Sequence, residues 1–172
     1  MNLRASRLDR ALDRVARTFA IAGVATALAV ALMVVSSIAG RALWSRPVPG
    51  DVELTQFGIA FCISLSLPWA QARGAHIIVD FFTQRAGTRA LSALDAAGAL
   101  LMAVFYALLA WRSAAGALAV RQASEASMIL DLPMWWVYAA LAPGLALASV
   151  VALRQAVLRA SVAVSTSPQP GA

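Results

Sequence analysis

Ionisable side chains are few in this chain of 172 residues, and one polar cluster of them, within residues 71–80, follows an apolar stretch. Arg73, His76 and Asp80 fall there, and in a helix His76 and Asp80 share a face at a spacing of four residues, where they can pair. Acid–base catalysis or metal binding would need more ligands nearby, but His76 is the single histidine. The group therefore predicts a polar, locally paired segment and no catalytic centre.

The other chemistry-bearing residues are isolated from one another. Cys62 is the single cysteine and is interpreted as a small apolar residue, because disulfide, metal and redox sites all need partners. A haem site needs a pair of axial ligands, which one histidine does not supply, and no phosphate-binding glycine loop precedes a lysine. We expect no enzyme activity, no metal and no cofactor.

Two carboxylates lie near the ends of apolar stretches. Glu53 comes just before one stretch, where its charge complements the positive end of a helix dipole, and Arg41 lies close enough in the predicted topology to pair with it. Asp95 lies one turn into the next stretch. Carboxylates within a membrane are functional candidates, but this one is also close enough to the edge to be solvated or paired with an arginine.

The elements that must position these residues are four apolar stretches, at residues 19–39, 54–72, 91–111 and 132–153. Each is about 20 residues long, which as a helix at about 1.5 Å per residue crosses a hydrocarbon core of about 30 Å. Apolar residues make up 61% of the chain and charged residues 13%, which excludes an ordinary globular domain. The sequence predicts an all-α integral membrane protein with four transmembrane helices.

The two ends of the sequence differ in composition from the apolar stretches. Residues 1–18 are predicted to form an amphipathic helix, which either lies on the membrane surface or extends the first span. The four-span domain then covers residues 19–158, and residues 159–172, rich in Ser, Thr and Pro towards the end, are predicted to be disordered. Pro133 and Pro143 are expected to set helix geometry only.

Arginine placement predicts the topology. The chain carries a net charge of +6 from 14 arginines and no lysine. With the N-terminus inside, ten arginines lie on the cytoplasmic side and four on the outer side, which follows the positive-inside rule and places both termini in the cytoplasm. The arginines are spread between spans and not gathered on one face, so a nucleic-acid partner is not expected. The outer four are Arg41, Arg46, Arg112 and Arg121.

With these elements in place, the chain resembles the small membrane subunit of tripartite ATP-independent periplasmic (TRAP) transporters, the DctQ-like family. The resemblance covers roughly residues 18–158. One departure concerns a tryptophan that many members place close before the second-span glutamate, because Trp44 here stands well before Glu53. The matching segments are Gly40-Arg41, the Pro-Val-Pro-Gly-Asp-Val-Glu-Leu run at 47–54, the Gln-Ala-Arg-Gly-Ala-His-Ile-Ile-Val-Asp run at 71–80, and 127–133 with Trp136, Tyr138 and Pro143-Gly144.

The resemblance implies a scaffold role in the bacterial inner membrane. Its implied partners are a large multispanning permease subunit, a periplasmic solute-binding protein that delivers an organic acid, and membrane lipids, with uptake driven by a sodium gradient. Arg73, His76 and Asp80 are then expected to hold the cytoplasmic segment against the large subunit or lipid headgroups. Arg41 and Glu53 would fix the outer helix ends or contact the partner. An autonomous four-span carrier or channel remains the alternative.

Overall fold

The structure, a computed structural model, describes residues 7–74 and 88–165. They form four helices: α1 (Arg7–Trp44), α2 (Asp51–Ala72), α3 (Thr88–Gln122) and α4 (Trp135–Ser165). Each is long and apolar enough to cross a membrane, and none of the described residues lies in a β-strand. The prediction of an all-α protein with four membrane-spanning helices is confirmed.

Three of the helices, α1, α3 and α4, extend well beyond the apolar stretches predicted for them. α1 has 38 residues, about 57 Å at 1.5 Å per residue, so residues 7–18 continue the first span as one helix. α4 continues to Ser165, so the expectation of disorder from residue 159 is wrong as far as that residue. Residues 1–6 and 166–172 lie outside the described part of the chain.

α3 changes the expected position of one arginine. The helix runs on past Trp111 to Gln122. Arg112, expected just beyond the end of a span, precedes the end of α3 by ten residues, about 15 Å.

The four helices lie in an open row and do not close into a bundle. α1 packs along α2, α2 packs along α4, and α4 packs along α3, so the order across the row is α1, α2, α4, α3. α1 touches α4 only slightly. We call the end with the connections 45–50 and 123–134 the hairpin end, and the opposite end, where α1 begins and α4 finishes, the terminal end.

The central contact of the row is the α2–α4 seam, where Ser64 meets Gly144. A Cβ on Gly144 would collide with the backbone oxygen and hydroxyl of Ser64, so only glycine permits this approach. The Ser64 hydroxyl, which is fully buried, donates to the carbonyl oxygens of Ala140 and Leu141 at 2.9 and 3.1 Å. Pro68 lies one turn further along α2 and cannot bond to the Ser64 carbonyl, which it leaves facing Gly144.

Small residues make the other two contacts of the row. In α1 and α2, a Cβ on Gly23 would lie 2.6 Å from the Ser66 hydroxyl, and one on Gly58 would collide with Val30. Between α3 and α4 the buried cluster is also mostly small. Close approach over small residues is how helices associate in lipid, where apolar burial gives little driving force. The α3–α4 cluster consists of Ala103, Tyr106, Leu145, Ala148 and Ala152.

Candidate functional site

At the hairpin end, Asp51 ties the α1–α2 connection to both helices. The Ser37 hydroxyl donates to Asp51 Oδ2 at 2.6 Å, and Arg41 Nη2 lies 3.2 Å from the same oxygen. The backbone N–H of Val48 in turn donates to the Ser37 hydroxyl at 3.2 Å. Gly50 precedes the helix with φ of +69°, a left-handed conformation that glycine adopts without strain. The connection is therefore held by side chains from α1 and by the first residue of α2.

Glu53 holds the second connection of the hairpin end. Its two carboxylate oxygens accept hydrogen bonds from the backbone N–H groups of Ile129 and Leu130, at 2.8 and 3.0 Å. Gly50 lies directly against the Leu130 side chain, where a Cβ would collide. Charge-assisted bonds to backbone N–H groups are among the stronger hydrogen bonds in proteins. Glu53 thus fastens the loop 123–134 to the first turn of α2.

That loop is a compact turn with an apolar tip. Ser127 N–H donates to Leu132 O at 2.9 Å, and the Ser127 hydroxyl accepts from Leu132 N–H at 3.1 Å. At the tip, the Met128 side chain is fully exposed and that of Ile129 is 64% exposed. The loop is therefore ordered by its own bonds and by Glu53, and it presents two apolar side chains.

The structure replaces the Arg41–Glu53 pair considered from the sequence. Arg41 bonds to Asp51, and Glu53 bonds to the loop amides, so the two residues serve separate connections of the same end. Asp51 was missed because it stands beside Glu53 in the same helix turn, and sequence spacing does not tell which carboxylate faces α1. Ser37, one turn before Arg41, was the available signal.

The two prolines occupy different settings. Pro133 lies in the loop before α4, paired across the turn with Ala126, and its carbonyl accepts from Trp136 N–H at 3.2 Å. Pro143 lies inside α4, exposed, one residue before Gly144. Pro143 cannot donate to its own helix, and the Ser64 hydroxyl bonds to neighbouring carbonyls there, as buried hydroxyls do in membrane helices. Both prolines are placed where they shape the path of α4.

At the terminal end, polar contacts join α2 to α4. Gln71 Nε2 donates to Gln155 Oε1 at 2.8 Å, and Gln155 Nε2 donates to the Gln71 carbonyl at 2.8 Å. The Arg73 guanidinium stacks over the Trp69 ring at 4.3 Å, a cation–π contact. His76 and Asp80 lie outside the described residues, so their pairing stays a prediction.

Two arginines of α4 connect the terminal end to the outer helices. Arg154 forms an ion pair with Asp9 of α1 at 2.7 Å. Arg159 Nη1 donates to the backbone carbonyl of Asp95 at 3.4 Å, so the arginine meets this residue through its main chain. Asp95 lines a recess of about 560 Å³ between α2, α3 and α4, together with Gln71, Arg73, Gln155 and Arg159. Within the described residues no three His, Cys, Asp or Glu side chains converge as a metal site would require.

The side chains described above connect helices and loops to one another, and the comparison with known families identifies the family of the chain. The family model for tripartite ATP-independent periplasmic transporters, DctQ component, matches residues 30–162, more than three quarters of the chain. No curated protein and no solved structure matches the chain. The matched range contains α2, α3 and nearly all of α4, with both connections of the hairpin end. The chain belongs to the DctQ family, the small-subunit component of TRAP transporters.

Proposed function

We propose that this chain is the non-catalytic scaffold of its transporter, a small subunit that packs beside a large multispanning permease. The complete system takes up an organic acid that a periplasmic binding protein delivers, and a sodium gradient drives the uptake. The solute and the coupling ion are bound by the other two proteins. Family membership supports the transporter role, and the arrangement of the helices supports the division of labour.

The open row of helices is the observation that carries the scaffold proposal. A carrier of four helices needs a polar path between them, whereas here the polar groups between helices bond to one another. Ser64 and Ser149 each donate to a carbonyl of the neighbouring helix, and Gln71 pairs with Gln155. A row has two broad apolar faces and two edges, which suits a wall beside a larger protein.

The arginine distribution supports a cytoplasmic position for the terminal end. Ten of the 14 arginines belong to that end by sequence, and the hairpin end holds Arg41, Arg46 and Arg121. In this orientation the apolar tip at Met128 and Ile129 faces the periplasm, where the binding protein arrives. Arg73 lies at the terminal end, and we propose that Arg73, His76 and Asp80 hold their segment of the sequence against the large subunit or lipid headgroups on the cytoplasmic side.

Reconstitution tests this proposal. Proteoliposomes that contain the large subunit and receive the binding protein should take up the organic acid only when this chain is also present. The chain alone, given the same solute and sodium gradient, should show no uptake above empty vesicles. Uptake by the chain alone would favour the autonomous carrier, and full uptake without the chain would remove the scaffold role.

A second experiment separates assembly from transport specificity. Substitution of Arg73 or Asp80 by alanine should lower the amount of large subunit that co-purifies with the chain, without a change in which solutes compete for uptake. A changed solute preference would mean that the cytoplasmic segment contributes to the transport path, contrary to the proposal.

A further inference from the structure

Arg112 lies on α3 near the level at which α2 and α4 meet. On α3 it stands between Ala110, which packs against the α3–α4 cluster as Leu141 does from α4, and Gly116, which faces Tyr138 of α4. The Leu141 carbonyl is the one that accepts from Ser64 in the middle of α2. Leu141 is six residues, about 9 Å, from the start of α4. By the register of three helices, the arginine lies well inside the apolar layer.

The side chain of Arg112 is on the edge of the row, away from the other helices. α3 is the last helix of the row, and its buried positions Ala103 and Ala117 face α4. At about 100° per residue, Arg112 lies roughly opposite these two alanines. Its neighbours on the same face are apolar and exposed, including Leu101, Phe105 and Leu108. The arginine is thus the one charge in an apolar stripe.

Nothing in the described part of the chain compensates this charge. Arg112 is exposed, and the structure gives it no hydrogen bond, ion pair or ring contact. An arginine at such a depth is costly unless it is paired or reaches water. The Arg112 side chain cannot easily reach water at the hairpin end, which is the nearer one. Side chains in a helix lean towards its N-terminus, and the N-terminus of α3 is at the opposite, terminal end.

The geometry points to an acidic residue on a membrane-spanning helix of the large permease subunit as the partner of Arg112. This inference rests on the proposed function, because it presumes that the permease packs beside this chain. It adds to that function the surface by which the chain docks, which is the outer face of α3. It also adds the charge pair that sets the position of the chain along the permease helix. The permease helix would continue the row beyond α3.

Two features favour a protein carboxylate over a lipid phosphate. Phosphates lie at the headgroup level, whereas Arg112 lies four residues, about 6 Å, further from the hairpin end than Gly116, which meets Tyr138 in the first turn of α4, and its side chain leans the other way. Above Arg112 on the same face come Ala115 and Ala119, both exposed and four residues apart. Small residues at this spacing allow a neighbouring helix to approach closely, which lipid tails do not require.

Capture of the permease by variants of this chain tests the inference. The tagged chain and the large subunit are expressed together, solubilised in detergent and recovered on the tag. Arg112→Leu and Arg112→Glu should each lower the recovered permease at least roughly tenfold, because a carboxylate in the apolar layer is left unpaired. Arg46→Leu, the same loss of charge in the connection after α1, should recover the normal amount.

A second readout on the free chain excludes a simple folding defect. Arg112→Leu removes a charge from an apolar face, so the thermal midpoint of the chain alone should stay the same or rise. A charge swap identifies the partner residue. Each acidic residue in the permease spans is changed to arginine in turn, and one of these changes should restore the recovery of permease by the Arg112→Glu chain.

The outcomes separate the inference from the function on which it rests. If the unaltered chain recovers no permease, the proposed function is wrong and the inference falls with it. If the unaltered chain recovers permease and Arg112→Leu recovers as much, the inference alone is wrong. Loss of a co-purifying anionic lipid with normal permease recovery would assign Arg112 to a lipid phosphate, and a collapse of the free variant would assign it an internal role. Both results would overturn the inference.

Discussion

The α2–α4 seam and the outer face of α3 lie at the same depth and treat polar groups in opposite ways. In the seam, the Ser64 hydroxyl is fully buried and bonds to two carbonyls of the next helix. On the outer face, Arg112 carries a full charge and has no partner among the described residues. The polar groups of the seam find their partners within the chain, whereas we infer that the charge at the edge finds its partner on a second protein. Substitutions in the seam should therefore change the stability of the chain, and substitutions at the edge should change its assembly.

The largest effect on stability is expected at the tightest point of the seam. Gly144→Ala places a Cβ against the Ser64 backbone and should destabilise the chain by about 2–3 kcal/mol, as overpacking does. Thermal unfolding of the purified chain in detergent measures this. Gly98→Ala is the matched control, because a Cβ there meets nothing within 4 Å and should leave the midpoint unchanged or slightly higher. Equal effects of the two variants would show that α2 and α4 do not meet at Gly144.

The next effect is expected at the hairpin end, which lies beside the seam along α2. Glu53→Gln retains the shape of the side chain but loses the charge that fastens the loop to α2, so the amides of Ile129 and Leu130 should exchange hydrogen roughly tenfold faster. Hydrogen–deuterium exchange measures this directly. The control is Glu125→Gln, an exposed carboxylate in the same loop, which should leave the exchange of both amides unchanged.

A smaller loss of stability is expected when the hydrogen bonds of the seam are removed and its packing is kept. Ser64→Ala removes the hydroxyl that donates to α4 and should lower stability by about 1 kcal/mol, since such bonds in membrane proteins are of modest strength. Ser36→Ala provides the comparison, because that hydroxyl bonds only to Met33 O of its own helix. If Ser36→Ala costs as much as Ser64→Ala, the contribution of the seam hydroxyl to helix association is negligible.

The smallest effect is expected at the terminal end. Arg154→Gln breaks the ion pair with Asp9, whose side chains are partly exposed, and should lower stability by about 0.5 kcal/mol at low salt. The difference from the unaltered chain should shrink as sodium chloride is added, because salt screens exposed pairs. A loss that is large and independent of salt would mean that α1 depends on this pair for its place in the row.

Some features of the seam and the edge could be predicted from the sequence, and others could not. The four spans followed from length and apolar composition, which need no knowledge of neighbours. Glu53 was singled out because its charge lies at the positive end of a helix dipole, but its partners in the loop 123–134 were not predicted. The order of the helices was not predicted, because apolar faces of similar composition fit many orders in lipid. Gly144 was noted beside Pro143, but its partner Ser64 is about 80 residues away, and no local pattern links them.

The position of Arg112 is a second feature that the sequence alone did not predict. The apolar stretch 91–111 ended at Trp111, so the arginine was placed outside the membrane. In the structure Arg112 lies near the level of the α2–α4 seam, because α3 pairs with α4 through Ala103 and Gly116, and that register is a tertiary property. We infer that the permease supplies the partner that such an arginine needs.

One measurement tests most directly the claim that the chain is complete in its seam and incomplete at its edge. It is the thermal midpoint of Arg112→Leu, taken for the chain alone and for the chain with the large permease subunit, each against the unaltered protein. The account predicts an unchanged or higher midpoint alone, and the loss of the stabilisation that the permease gives. A lower midpoint alone, or full stabilisation by the permease, would contradict it.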